Sequence, residues 1–109
     1  MAKEVVKRLY SLMNEGKIDE LKSLFADNFI EHGCESTAGV EAFLAVNEDF
    51  FSQSGVKFEI IECFESKNGE VAAYVKAKKN GVTVFRTADI YCAADGLITD
   101  HWTIRQDAN

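Results

Sequence analysis

Between Lys3 and Asn14 the apolar residues Val5, Val6, Leu9, Tyr10, Leu12 and Met13 recur at the spacing of one helix face, and Asn14-Glu15-Gly16 supplies a stop. A shorter period through Ile18, Leu21, Leu24 and Phe25 predicts a second helix, halted near Asp27-Asn28, with Phe29-Ile30-Glu31-His32 as a short extended piece that Gly33 breaks. Val40, Phe43, Leu44, Val46, Asn47, Phe50 and Phe51 predict a third amphipathic helix, closed by the loop from Ser52 to Gly55. The C-terminal half alternates instead. Asn68-Gly69, Asn80-Gly81 and Asp95-Gly96 each separate runs rich in Val, Ile, Phe, Tyr and Thr. Such dipeptides favour two-residue type I′ hairpins, whose central residues need positive φ. They predict a four-stranded meander over residues 56–67, 70–79, 82–94 and 97–106.

Counting outward from two-residue turns sets a register. Lys79 faces Val82, which puts Tyr74 opposite Thr87 and Ala72 opposite Asp89; Ala94 faces Leu97, which puts Asp89 opposite Trp102. One face then carries Cys63, Tyr74, Phe85, Thr87, Asp89, Tyr91 and Trp102 among others. The other, drier face carries Val71, Val75, Val84 and Ile90, with Arg86 and His101 as its main polar members. Ligand pockets are mostly apolar with a few convergent polar groups, so the first face is expected to line a cavity under the helices. An uncovered apolar sheet face invites association, so the drier face is expected to pair two copies into a homodimer.

The chain of 109 residues has the size of one domain, 1–109, and 47% hydrophobic residues with eight Phe are enough for one core. Eighteen acidic against twelve basic residues give a net charge of −6 with no basic stripe, which argues against nucleic acid as a partner. Cys34, Cys63 and Cys92 are odd in number and widely spaced, as expected for reduced thiols. The first twelve residues mix Lys and Glu with apolar positions, unlike a signal peptide or membrane span. A cytoplasmic location is expected.

Asp89 lies in Thr87-Ala88-Asp89-Ile90-Tyr91, a strand-forming stretch in which a carboxylate must be solvated, paired or functional. Poorly solvated beside Trp102 and Tyr74, it would have a raised pKa and exchange protons near neutral pH. The competing reading is an ion pair with Arg86 or Arg105, or a hydrogen bond to a hydroxyl. His32, at the end of the short strand, is a second candidate for acid or base work, against the plainer role of a capping or surface residue. Tyr74, Trp102, Phe85 and Cys63, with Phe43 from the third helix, are expected to line the pocket, although Trp102 and Tyr74 fit ordinary packing equally well. His101 reads as interface or surface. The histidines and acids lack metal-ligand spacing, and no metal site is expected.

Several segments together resemble the SnoaL-like polyketide cyclases of the nuclear transport factor 2-like superfamily: Asn14-Glu15-Gly16-Lys17-Ile18-Asp19, Leu24-Phe25-Ala26-Asp27-Asn28-Phe29-Ile30-Glu31-His32, Gly39-Val40-Glu41-Ala42-Phe43, Ala88-Asp89-Ile90-Tyr91, and Asp95-Gly96 through His101-Trp102. The resemblance implies an α+β fold in which three N-terminal helices cover a cone-shaped, curved antiparallel sheet, the cystatin-like α+β barrel, commonly dimeric through the sheet. It further implies a cofactor-independent lyase or isomerase moving a proton next to a carbonyl in a small apolar substrate, with Asp89 and His32 at the family's aspartate and histidine positions. The chain departs from the pattern in carrying Tyr74 where cyclases often have histidine or arginine, and a tight Asn80-Gly81 turn where relatives often have a longer connection. The same fold also hosts non-catalytic small-molecule binding and dimeric interaction proteins, which is the alternative.

Overall fold

A computed structural model describes residues 2–33 and 37–108, and for Thr37 and Ala38 the backbone alone. Cys34 lies outside the described residues. Helix α1 spans Ala2–Glu15 and turns Val6, Leu9, Tyr10, Leu12 and Met13 inward, as its spacing predicts. Full burial of each large apolar side chain contributes about 1.5–3 kcal/mol, which holds the helix on the sheet. Helix α2 is short, Ile18–Lys22, because the chain enters strand β1, Phe25–Glu31, immediately afterwards. Phe25 therefore belongs to a strand and not to the predicted helix. A two-residue strand β2, Thr37–Ala38, pairs with β1.

The third predicted helix is broken into α3, Val40–Val46, and α4, Glu48–Ser52. Asn47 marks the break: it leaves helical geometry at φ −101° and ψ 20°, and its side-chain amide donates to the Phe43 carbonyl at 3.0 Å. Strands β3 (Val56–Glu65), β4 (Val71–Lys79), β5 (Val82–Ala94) and β6 (Leu97–Asp107) form the expected antiparallel meander. The sheet order is β2-β1-β6-β5-β4-β3, and β1 joins β6 in parallel, so one seam departs from the antiparallel expectation. The result is an α+β fold with helices packed on one face of a curved sheet that does not close.

Asn80-Gly81 and Asp95-Gly96 do make tight reversals, with φ of 54° and 79° in the first and 53° and 78° in the second. Asn68-Gly69 does not; the bend there includes Lys67, the amide of Ser66 donating to the Glu70 carbonyl at 2.8 Å. Beyond each tight turn a bulge then changes the register. Lys78 pairs with Thr83 but Ala77 with Phe85, leaving Val84 extra, and Ala93 pairs with Ile98 but Cys92 with Asp100, leaving Thr99 extra. Tyr74 consequently faces Ala88, and Asp89 faces Ala73 on one side and Thr103 on the other.

A slip of one residue exchanges the two faces of a strand. Val71, Ala73, Val75 and Ala77 of β4 and His101 of β6 turn inward under the helices with Phe85, Thr87, Asp89 and Tyr91 of β5. Tyr74, Ile90, Trp102 and Ile104 turn outward and are exposed. The face expected to pair copies is thus partly the core itself, since Val71 and Val75 are buried. Among the described residues no helix is long and apolar enough to cross a membrane.

Candidate active site

The inner wall carries a continuous hydrogen-bonded cluster. Asp89, on β5, accepts from Thr87 Oγ1 and from the Tyr10 hydroxyl of α1 at its Oδ2, both at 2.7 Å. Its Oδ1 lies 2.9 Å from His101 Nε2. The opposite ring nitrogen, Nδ1, lies 2.6 Å from Oε1 of Glu31 on β1. Glu31 Oε2 in turn accepts the Gly33 amide at 2.8 Å. Because the single Tyr10 proton goes to Asp89, the Tyr91 hydroxyl, 2.8 Å away, donates to Tyr10. Phe43 meets the His101 ring edge-on with centroids 5.1 Å apart, and Tyr91 stacks on it at 4.7 Å.

These groups are almost wholly removed from water: Glu31 and His101 are each 1% exposed and Asp89 6%. Burial acts to raise the Asp89 pKa, but the hydrogen bonds and charge of His101, with those of Tyr10 and Thr87, outweigh it and hold the carboxyl below its ordinary range. Burial likewise acts to lower His101, yet its two carboxylate partners push it up to about 9. The phenols of Tyr10 and Tyr91 are raised well above 10 by burial and by the neighbouring Asp89 charge. At neutral pH the cluster is an anionic Asp89 beside a cationic His101, with neutral hydroxyls as donors. Among the described residues no set of three or more His, Cys, Asp or Glu side chains is arranged to hold a metal ion.

Asp89 stands on the inner wall as the sequence expects, but away from Trp102 and Tyr74 and with its pKa lowered instead of raised, because it accepts hydroxyl hydrogen bonds, as the competing reading has it, and pairs with His101 in place of Arg86 or Arg105. Phe85 and Phe43 are inside as well. Cys63 pairs with Ala73 on the inner side, half-buried at the rim, its thiol pushed up by burial. His32 and Trp102 are not part of the site. They stack on each other on the outer face, centroids 4.1 Å apart and nearly parallel, with His32 Nε2 3.0 Å from Asp100 Oδ1. Tyr74 is on that outer face too, because of the bulge beside Lys78, as Trp102 is because of the one at Thr99. His101, assigned from the sequence to the opposite face, is the centre of the cluster.

Glu31, Tyr10 and Tyr91 were not singled out. The signal for Glu31 was available: in Phe29-Ile30-Glu31 strand alternation puts the acid on the same side as a buried Phe. For Tyr10 it was the position of a hydroxyl in the buried stripe of α1, where it needs a partner.

The cavity expected under the helices is largely filled by side chains. Next to Thr87 lies a cleft of about 30 Å³, bounded by Val46, Asn47, Phe50, Phe85 and Thr103, against roughly 300–1,000 Å³ for ordinary ligand pockets. Phe50 of α4 stacks on Phe58 at 4.2 Å, and Arg105 bridges to Asp49 at 2.9 Å while covering the Phe85 ring. An open groove of about 700 Å³ lies by Ile18, Leu44 and Phe51, but no member of the cluster lines it.

No curated protein matches the chain. Solved structures share its fold. An NTF2-like protein of unknown function from Cytophaga hutchinsonii aligns with a TM-score of 0.74 at 20% identity, over 97% of this chain and 90% of that one. IdmH of Streptomyces antibioticus, a proposed polyketide cyclase, gives 0.76 at 19% identity over 97% and 92%. A proposed polyketide cyclase of Sinorhizobium meliloti gives 0.68 at 20% identity over 93% and 94%. The sequence pattern of the SnoaL-like domain matches residues 6–101, nearly the whole chain, and the chain belongs to that family.

Proposed function

We propose that this SnoaL-like chain is a cofactor-independent lyase or isomerase that moves a proton next to a carbonyl in a small apolar substrate. The observation that carries this reading is the buried Asp89 carboxylate, kept ionised by His101 on a wall of aromatic side chains. Asp89 takes the proton from carbon: the C–H bond breaks, an O–H bond forms on the carboxylate, and the electron pair moves onto the carbonyl oxygen. The Tyr10 or Thr87 hydroxyl, released from Asp89 as it is protonated, turns to that oxygen and stabilises the enolate. Return of the proton at the same or another carbon completes exchange or isomerisation. Substrate enters by the Thr87 cleft when α4 withdraws Phe50, which the Arg105–Asp49 bridge otherwise holds in place.

The test is hydrogen–deuterium exchange at the carbon between ring and carbonyl of 2-tetralone, an apolar ketone, followed by proton NMR in heavy water. Asp89→Asn should slow the protein-catalysed rate at least about 100-fold, the usual loss on removing a general base. Circular dichroism confirms that the variant is folded at the assay temperature. An undiminished rate in a folded variant removes Asp89 from the mechanism.

A dimeric interaction module is favoured by two further observations, the filled interior and the outer sheet face. Phe64, Tyr74, Ile90, Trp102 and Ile104 are exposed there, Ile104 at 75%. Lys76 and Arg86, cross-strand neighbours, flank this belt on one side, while Asp100 and Glu70, both close enough to raise the Cys92 thiol, flank it on the other. A second copy turned by two-fold rotation lays the basic row of one over the acidic row of the other. Ile90→Asp is expected to convert a dimer to a monomer in sedimentation velocity at ten micromolar, a concentration of about that order being enough for a weak homodimer. A parent chain that already sediments as a monomer there would sink this pairing.

A further inference from the structure

The Glu31 carboxylate is buried and, among the described residues, is separated from Asp89 by one ring. One oxygen meets His101 Nδ1 and the other the Gly33 amide, and the His101 ring stands between it and Asp89. An imidazole with a single N–H could satisfy only one of its two flanking carboxylates. The other would then face a ring lone pair across 2.6 or 2.9 Å. Two hydrogen-bond lengths to two carboxyl groups call for a proton in each contact, and where both acids are ionised these are the two ring protons of an imidazolium. Removing the Glu31 charge would leave the second ring proton much more weakly held.

The local chain is shaped around this contact. A Cβ on residue 33 would lie 2.7 Å from Glu31 Oε2 and 3.1 Å from the Thr103 methyl, so glycine is what lets the amide reach the carboxylate. The neighbouring His32 amide donates to the His101 carbonyl at 2.8 Å, tying the same turn to the β6 backbone. Strand β1 and the turn that follows it thus grip His101 at ring and main chain.

We infer that Glu31 is a positioning residue, which through its contact with Nδ1 keeps His101 a doubly protonated ring aimed at Asp89. This deepens the proton-transfer reading and rests on it for its catalytic consequence. Among the described residues the titratable groups facing His101 are Glu31 from β1, Asp89 and Tyr91 from β5, and Tyr10 reached from α1 through Asp89, while α3 contributes the Phe43 ring. Of these, Glu31 and Asp89 carry the charges that favour the imidazolium.

The experiment is imidazole nitrogen NMR on the full 15N-labelled chain across a pH series. In Glu31→Gln, which still accepts from Nδ1–H but carries no charge, the His101 midpoint should fall by about one pH unit or more, a tenfold change in its acidity. Gly33→Ala keeps every charge but displaces the carboxylate, and should move the midpoint in the same direction by less. Glu31→Asp, which restores the charge with a shorter reach, should recover part of the shift. In the 2-tetralone assay the alkaline limb of the Glu31→Gln pH profile should move downward with the His101 midpoint, because the imidazolium beside Asp89 is then lost at lower pH. A His101 midpoint unchanged in folded Glu31→Gln, or in Gly33→Ala where Glu31→Gln does not fold, overturns the inference. Absence of exchange by the parent chain overturns the proton-transfer reading instead, while the NMR series still decides whether Glu31 controls His101.

Discussion

His101→Leu is expected to cost about 3–5 kcal/mol of folding stability, the range for breaking a buried ion pair from one side. Leucine fills much of the space between Phe43 and Tyr91, so the loss is chiefly electrostatic: Glu31 and Asp89 remain in the core with no cation between them. Domains of this size have only about 5–15 kcal/mol in total, so the variant should be marginal near physiological temperature. Urea unfolding followed by circular dichroism measures the change. Neutralising both acids in the same background, Glu31→Gln with Asp89→Asn, should recover a large part of it, because removing all the charges leaves none uncompensated. A loss below about 1 kcal/mol in the single variant, a size typical of exposed pairs, would mean that water reaches the two carboxylates.

That the same histidine was assigned from the sequence to the outer face follows from how sheet register works. The elements themselves were legible: the helix stripe of α1, the NG and DG turns, and the four-strand order all follow from local chemistry. Bulges at Val84 and Thr99 are not local in that sense. Neither residue is a glycine or otherwise marked, and the bulge arises because packing against the helices decides which residues of β4 and β6 point inward. The errors accordingly come as near neighbours. The sequence pointed to His32, Tyr74 and Trp102, and the buried residues are Glu31, Ala73, Val75, His101 and, in part, Thr103. Strand β5 lies between the two displaced neighbours, and its Phe85, Thr87, Asp89 and Tyr91 were placed inside, where they are.

The outer stack of His32 on Trp102 with Asp100 is what this offset leaves behind. It repeats in exposed form the ingredients of the buried cluster, an imidazole, an acid and an aromatic ring. Water makes the difference: the exposed pair is screened, whereas the buried one interacts through a medium of low effective dielectric and moves pKa values far enough to matter at neutral pH. Residue type alone could not separate these two histidines, and burial does.

The buried histidine should also govern how stability depends on pH. His101 titrates near 6.5 when unfolded and at about 9 when folded. A group whose pKa is raised on folding contributes stability that is fully present below its unfolded value and is lost as pH rises through its folded value. Asp89, lowered on folding, works the other way, contributing above its ordinary value of 3.8 and losing that contribution as pH falls. Stability should therefore be highest between about pH 5 and 6.5 and decline toward pH 9, by roughly 3 kcal/mol if the whole His101 shift is expressed. Across that decline folding takes up protons, because the native state binds more than the unfolded chain. The phenols of Tyr10 and Tyr91, raised well above 10, add their own loss only at higher pH, outside this window. Urea midpoints measured at pH 6 and pH 9 give the effect, and His101→Leu combined with Glu31→Gln and Asp89→Asn supplies the control, since without any of the three titrating groups the same interval should be nearly flat. A parent chain equally stable at both pH values would show that His101 folds in the charge state it has in water, and with it would go the ionised carboxylate on which proton transfer depends.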